Sequence, residues 1–500
     1  MSAASARPAP EAEPPLGAPQ PAATPIQTVF LAVAQGFASR YLLRTDVLRG
    51  LLDGGARVVV LAPNPDEEYL VREFAPRGIV LEPLRADRYA RYANRRLYQV
   101  LRNLRWNAMN GRMDLHTIDV RYSVFRRQRR GDGLLRRAYN LAFDATVALL
   151  RRSRALRRAL QALENRLFTP TVHADLFERY RPSKLVVTSL GVMHYDHLLM
   201  REAHAHGVKV VSVVLSWDNT STKGMPGAEP DVVVAWTETM KQELIGYSDI
   251  PASRVVVGGV AHFDSHFRRE GLPSRHELFA RFGLDPAKKL LFFALRSPNK
   301  FPWNPEIVER LARALAEGRF AQPCQLLVRL HPLNFNVRDG RYRYEQDTAA
   351  HMALRRKYPD VFYDVPSTLS TRLAMDMPTQ EMTKLGSILA HADVLLSFFS
   401  TMMLEASIFD LPMVNVCFYT HNEYLAKDDF TAVDFPHIRR VTGTGGMRSA
   451  FNEDELVHHV NTYLHDRSTD AEGRRRLREQ ECGPFPGEAG LRVARTILET

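Results

Sequence analysis

Two successive series of short apolar strands, alternating with helical patterns, constrain this chain more than any other feature. The first series reads as strands at 28–34, 57–62, 184–188, 209–215, 231–236 and 254–258, with helices at 41–52 and around 197–206. The second reads as strands at 289–295, 325–330, 361–364, 393–398 and 412–418. Strands apolar on consecutive residues are covered on both faces, and helices between them make parallel crossovers. Each series is therefore expected to close one α/β, Rossmann-like doubly wound domain, the two facing a cleft.

The expected boundaries follow from the same pattern. Residues 1–25, rich in Ala and Pro, read as a disordered tail without the basic start and apolar stretch of a signal peptide. Residues 26–265 are expected to form the N-terminal domain and 286–470 the C-terminal domain. Gly258, Gly259, Gly271, Pro273 and Gly283 punctuate the seam between them. Residues 471–500 add C-terminal helices free to pack on either domain. An arginine-rich helical insertion at about 89–167 interrupts the first alternation.

No run approaches the about 20 apolar residues that span a bilayer. Cys324, Cys417 and Cys482 are too few and too scattered for a disulfide framework or a close metal-ligand cluster, so a reducing, cytoplasmic location is expected. The net charge of +11 selects an anionic partner without choosing among phosphorylated substrate, membrane and nucleic acid. Arginines without interleaved aromatics in a known motif argue against nucleic acid.

In an open parallel sheet, ligands bind beyond the carboxyl ends of the strands, so the turns that follow strands carry the chemistry. Gly36 permits close backbone approach at a helix start, where a plain tight turn is the alternative. His194 and Asp196 open the helix after the strand at 184–188, as proton carriers or as a structural histidine and a cap. Ser216-Trp217-Asp218-Asn219-Thr220-Ser221-Thr222-Lys223 concentrates polar groups directly after a buried strand. There Asp218 is the first choice for a general base, with His194 and Asp196 in reserve, and Lys223 suits phosphate.

On the second domain, Arg296 and Ser297 follow the first strand, and His331 with Pro332 follows the next. A guanidinium there takes phosphate oxygens bidentately, and an imidazole donates to them. Ser400 and Thr401 begin a helix with Glu405 one turn inside. They suit a diphosphate cradle with a carboxylate reaching a ribose diol, or equally a capping box.

In order and spacing these turns resemble the GT-B glycosyltransferase and nucleotide-sugar 2-epimerase superfamily, including the CDP-glycerol glycerophosphotransferase-like and capsule glycosyltransferase relatives, over roughly 26–466. Arg296, His331-Pro332, Ser400-Thr401 and Glu405-Ala406 look like the residues that surround the nucleotide in such proteins. Val256 to Asp264 looks like the superfamily's interdomain segment, which implies that His262 faces the cleft. The epimerase Gly-Gly turn is replaced by Ser400-Thr401 and its acidic loop by Ser216-Trp217-Asp218-Asn219, which favours transfer over epimerisation.

The resemblance implies metal-independent sugar transfer from a nucleotide-activated donor, a co-substrate rather than a cofactor, to a lipid-linked or glycan hydroxyl acceptor in cell-surface glycan synthesis. CDP-polyol phosphotransfer and an inactive binding protein are the alternatives. The insertion adds one expectation from the residues alone. Arg126, Arg127, Arg129, Arg130, Arg136, Arg137, Arg151, Arg152, Arg154, Arg157 and Arg158 accompany Leu149, Leu156, Leu160, Leu163 and Leu167 at helical spacing. That combination suits the inner face of an anionic membrane, or a basic face whose leucines pack on the domain.

Overall fold

The computed structural model describes residues 27–129, 133–193, 195–335, 337–338, 341–370, 373, 375–418 and 434–500. The first sheet comprises β1 (Thr28–Ala32), β2 (Arg57–Ala62), β3 (Val80–Pro83), β4 (Lys184–Val187), β5 (Lys209–Val213), β6 (Val232–Ala235) and β7 (Val255–Val257). All pairs are parallel, in the order β3-β2-β1-β4-β5-β6-β7. The second sheet holds β8 (Lys289–Ala294), β9 (Cys324–Arg329), β12 (Val361–Asp364), β13 (Val394–Ser397), β14 (Met413–Val416) and β15 (Arg448–Ala450). Its pairs are also parallel, in the order β12-β9-β8-β13-β14-β15. A small antiparallel hairpin, β10 (Val337–Arg338) with β11 (Arg341–Tyr342), stands apart.

Central strands such as β1 and β13 are buried at every position, as consecutive Val, Leu and Phe residues require when helices cover both faces. The sequence reading omits β3 and β15. Both are edge strands; β3 is only half-buried throughout, so neither carries a continuous apolar run. The helix expected at 41–52 is two helices, Gly36–Leu43 and Asp46–Asp53, because the Thr45 hydroxyl accepts from Val47 N–H and caps the second. The last helix, Ala489–Glu499, packs on the N-terminal domain: Val493, Ala494 and Ile497 join the core formed by β1, β2 and helix Asp46–Asp53.

The insertion is helical from Ala86–Ala93 to Arg154–Leu167. Its last helix buries its polar side. Glu164 is fully buried between Arg105 (Nε to Oε2, 3.0 Å) and Arg201 (Nη2 to Oε2, 2.6 Å). Arg105, Gln161 and Arg201 then donate to the carbonyls of Met225, Pro226 and Gly227. The insertion thereby clamps the loop that follows β5, which carries Asp218.

Candidate functional site

β8 and β13 lie side by side, with Ser397 in register with Ala294, yet the sheet continues through β9 on one side and β14 on the other. Loops leaving their carboxyl ends diverge and open a crevice at this switch point. Arg296 and Ser297 form one lip, Ser400 and Thr401 the other, and His331 after β9 stands beside them. Ser216, Trp217, Asp218 and Thr222 face them from the first domain, and Thr117 and Arg121 from the insertion helix His116–Gln128. Lys300, Phe301, Trp303, Phe435 and His437 complete a cavity of about 910 Å³.

The cavity is cationic. Burial pulls Arg296 down to about 10 against the opposing pull of Asp218, and its guanidinium lies 4.4 Å from the Phe301 ring centre. Arg121 is lowered by burial, Asp218 again opposing, and donates to the Thr222 carbonyl. Lys300 is lowered by desolvation and then by Arg296 and Arg121. Cations desolvated together in a hollow, with Lys300 lowered further by its neighbours, are stabilised by a bound anion, and such perturbed groups cluster at functional sites.

Two imidazoles are held neutral. His331 is lowered to about 4 by burial and then by Arg296 and Arg329. Its Nδ1 accepts from the Leu333 N–H at 3.1 Å, which puts the ring proton on Nε2 as a donor. His437 is also lowered to about 4, by burial, with Asp218 opposing and Arg440, Arg121 and Arg296 reinforcing. Its Nδ1 lies 3.0 Å from Ser221 Oγ, which leaves Nε2 available to a bound molecule.

Asp218 stays ionised. Burial pushes it up, but Lys223, His437 and hydrogen bonds from Ser216 and Thr222 outweigh that and hold it below the ordinary carboxylate range. The two hydroxyls occupy both carboxylate oxygens.

Other expected residues lie elsewhere. Glu405 does not line the cavity: it is buried and its Oε2 sits 3.0 Å from His266 Nε2, because its helix turns this face toward the interdomain helix Asp264–Arg268. Gly36 does not cradle an anion, since a Cβ there would stand 2.1 Å from the Asp376 nitrogen, so the second domain's own backbone fills the space. Asp376 is held there by Arg44 (2.5 Å) and Tyr69 (2.7 Å). His262 is packed among Phe37, Tyr41, Trp236 and Phe263 instead of lining the cavity. Asn219 is buried at the start of helix Asn219–Thr222, and Lys223, outside the cavity lining, is lowered by burial with Asp218 opposing. His194 lies outside the described residues.

Asp196 is buried off the cavity and pushed up to about 7 by burial, against a hydrogen bond from Ser189. A carboxyl whose folded pKa is raised favours folding most below its unfolded value of 3.8 and loses that contribution as pH rises through about 7. Asp196→Asn is therefore expected to flatten the fall in stability between these pH values. Urea midpoints at pH 5 and pH 8 measure it.

Sequence reasoning missed Arg121, Lys300 and His437. Arg121 was indistinguishable from the other insertion arginines, and Lys300 lies in a loop without a motif. For His437 the only signal was its place after Phe435-Pro436, a helix start. Among the described residues, no group of His, Cys, Asp and Glu could hold a metal ion.

No protein-family model and no curated protein matches the sequence. Solved structures match the whole architecture. A UDP-GlcNAc 2-epimerase from Methanocaldococcus jannaschii superimposes with a TM-score of 0.51 at 11% identity, over 95% of this chain and 99% of that one. This chain has the GT-B fold. A UDP-GlcNAc 2-epimerase from Neisseria meningitidis gives 0.52 at 10% identity, over 95% and 100% of the two chains. A glycosyltransferase from Rickettsia africae gives 0.51 at 12%, also over 95% and 100%.

Proposed function

We propose that the protein is a glycosyltransferase that moves a sugar from a nucleoside-diphosphate donor to a hydroxyl of a glycan or lipid-linked acceptor. The observation that carries this reading is the cavity itself, which sets Arg296, Lys300, His331 and His437 of the second domain against Asp218 of the first. The donor diphosphate lies at the switch point of the second sheet. Arg296 and Lys300 meet its charge, and His331 donates from Nε2.

His437 is the better proton acceptor of the facing pair. Its imidazole is neutral, whereas Asp218 is held ionised by hydroxyls on both oxygens. A diphosphate beside Arg121 and Arg296 offsets the cations that depress His437 and raises its affinity for a proton. As the acceptor oxygen bonds to the anomeric carbon, its proton passes to His437 Nε2. The bond from that carbon to the donor phosphate breaks, and its electron pair leaves on the nucleoside diphosphate. Asp218 stabilises the imidazolium, while Arg296 and His331 stabilise the leaving charge.

The test is a panel of UDP-, GDP- and CDP-linked donors with hydroxyl acceptors, reading the released nucleotide and the sugar product. Acceptor-dependent release of nucleoside diphosphate is expected. Release of a monophosphate would mean polyol phosphate transfer. The two epimerase neighbours favour 2-epimerisation as a second reading, and an acceptor-independent change at C2 would replace transfer by it. Asp218→Asn is expected to lower kcat more than donor affinity. It should also shift the acid limb of the pH profile to lower pH, because Asp218 raises the His437 pKa.

A further inference from the structure

We propose that the outer face of the last two insertion helices, with the elbow that joins them, is a docking surface for an anionic lipid bilayer, independent of which reaction the cavity performs. Helices Leu134–Arg152 and Arg154–Leu167 meet at Ser153, whose extended backbone breaks them apart. On the first, Leu134, Ala138, Leu141, Ala145 and Leu149 fall on one face, joined by Leu135 and Ala142, and all are exposed. Leu134, Leu135 and Leu141 are 82%, 90% and 71% exposed, although the opposite face buries Phe143, Val147 and Leu150. The second helix is inverted outright: Leu156, Leu163 and Leu167 face outward while Arg157, Gln161 and Glu164 are buried. Of the leucines expected to form one stripe, only Leu160 packs on the domain core.

Charge accompanies the apolar face. At the elbow a hollow of about 700 Å³ is lined by Asn110, Arg112, Arg152, Arg154, Arg157 and Asp249, among others. Asp249 is committed to Arg157 through both oxygens, at 2.5 and 2.9 Å. Arg112 and Arg152 make no ion pair among the described residues, and neither do Arg137 and Arg158 on the same two helices as the leucines. Leu149 and Leu156 stand four residues before and three after Ser153, so exposed leucines flank in the chain the elbow whose hollow Arg152 lines.

A bilayer fits both halves of this surface. Leucines enter the acyl boundary, and Arg112 and Arg152 receive a headgroup phosphate in the hollow. Two copies meeting through this face would set the same arginines against each other, which disfavours a dimer. The helix His116–Gln128 joins this surface to the cavity. Thr117 and Arg121 line the cavity, while Tyr122, Arg126 and Arg129 hold Asp144 of the exposed helix. No helix among the described residues is long and apolar enough to cross a membrane, so contact by this surface is peripheral.

The test is co-sedimentation of the full chain with phosphatidylcholine vesicles, with and without phosphatidylglycerol. Anionic lipid is expected to tighten binding by about tenfold or more, and added salt to reverse the gain. Arg112→Gln with Arg152→Gln should remove the preference for anionic lipid. Leu134→Ser with Leu141→Ser should remove vesicle binding, with the melting temperature unchanged in both double variants. Equal binding to neutral and anionic vesicles, or binding to neither, overturns the proposal. Stabilisation by inorganic phosphate without vesicle binding overturns it too, in favour of a soluble phosphate site. A dimer in light scattering that the leucine variant dissociates assigns the face to a second copy instead.

Discussion

An Arg296→Ala protein is expected to fold normally and to bind nucleoside diphosphate far more weakly than the parent. The guanidinium stands at the switch point with its charge opposed by no ion pair among the described residues, beside Lys300 and the neutral His331. Loss of a charge-assisted hydrogen bond costs about 1.5–3 kcal/mol, and a bidentate contact lies at the upper end. That is a drop of roughly 10- to 150-fold in affinity. Calorimetry with UDP, GDP and CDP measures it, and the melting temperature of the free protein separates it from a folding defect. Unchanged affinity for the nucleotide that the parent binds would place the diphosphate elsewhere.

Glu164→Ala is expected to give the largest loss of stability of any single change proposed for this chain. Glu164 is fully buried and accepts from both Arg105 and Arg201, themselves almost wholly buried. Its removal leaves two guanidinium groups in a region of low dielectric with one less carboxylate to offset them. Breaking a buried pair in this way costs about 3–5 kcal/mol. Urea unfolding measures the loss. Because Arg105 and Arg201 also hold the carbonyls of Met225 and Gly227, the loop that carries Asp218 loosens with the network. Turnover at permissive temperature should therefore fall as well. A stable Glu164→Ala protein with altered turnover would mean that the network positions the loop without supporting the fold.

Arg296 and Glu164 differ in how visible they are in the sequence. Arg296 was legible because it follows a strand apolar on consecutive residues, and a parallel strand delivers the residue after its carboxyl end to the ligand side of the sheet. The same reasoning reached Ser297, His331, Ser400, Thr401 and Asp218, which the structure gathers around one cavity. Glu164 was not legible. Leucines at 149, 156, 160, 163 and 167 recur at helical spacing, yet periodicity marks only that a helix has two faces and not which one meets the protein. The exposed neighbour faces of Leu156 and Leu163 and the buried Glu164 invert the usual choice.

Local patterns determined the two parallel α/β domains, the helical insertion within the first of them and the turns that reach the switch point, since each depends on residues adjacent in the chain. Only the tertiary structure decided which of those turns share a cavity. Glu405 was drawn to His266, Gly36 was covered by the backbone of Asp376, and His262 was enclosed by aromatics, each through a contact between residues more than a hundred apart or through packing at the domain seam. Arg121 and His437 entered the site by the same route. Their place follows from how the insertion and the second domain dock on the first, and that docking is the summed effect of many weak distant contacts that no single segment of sequence records.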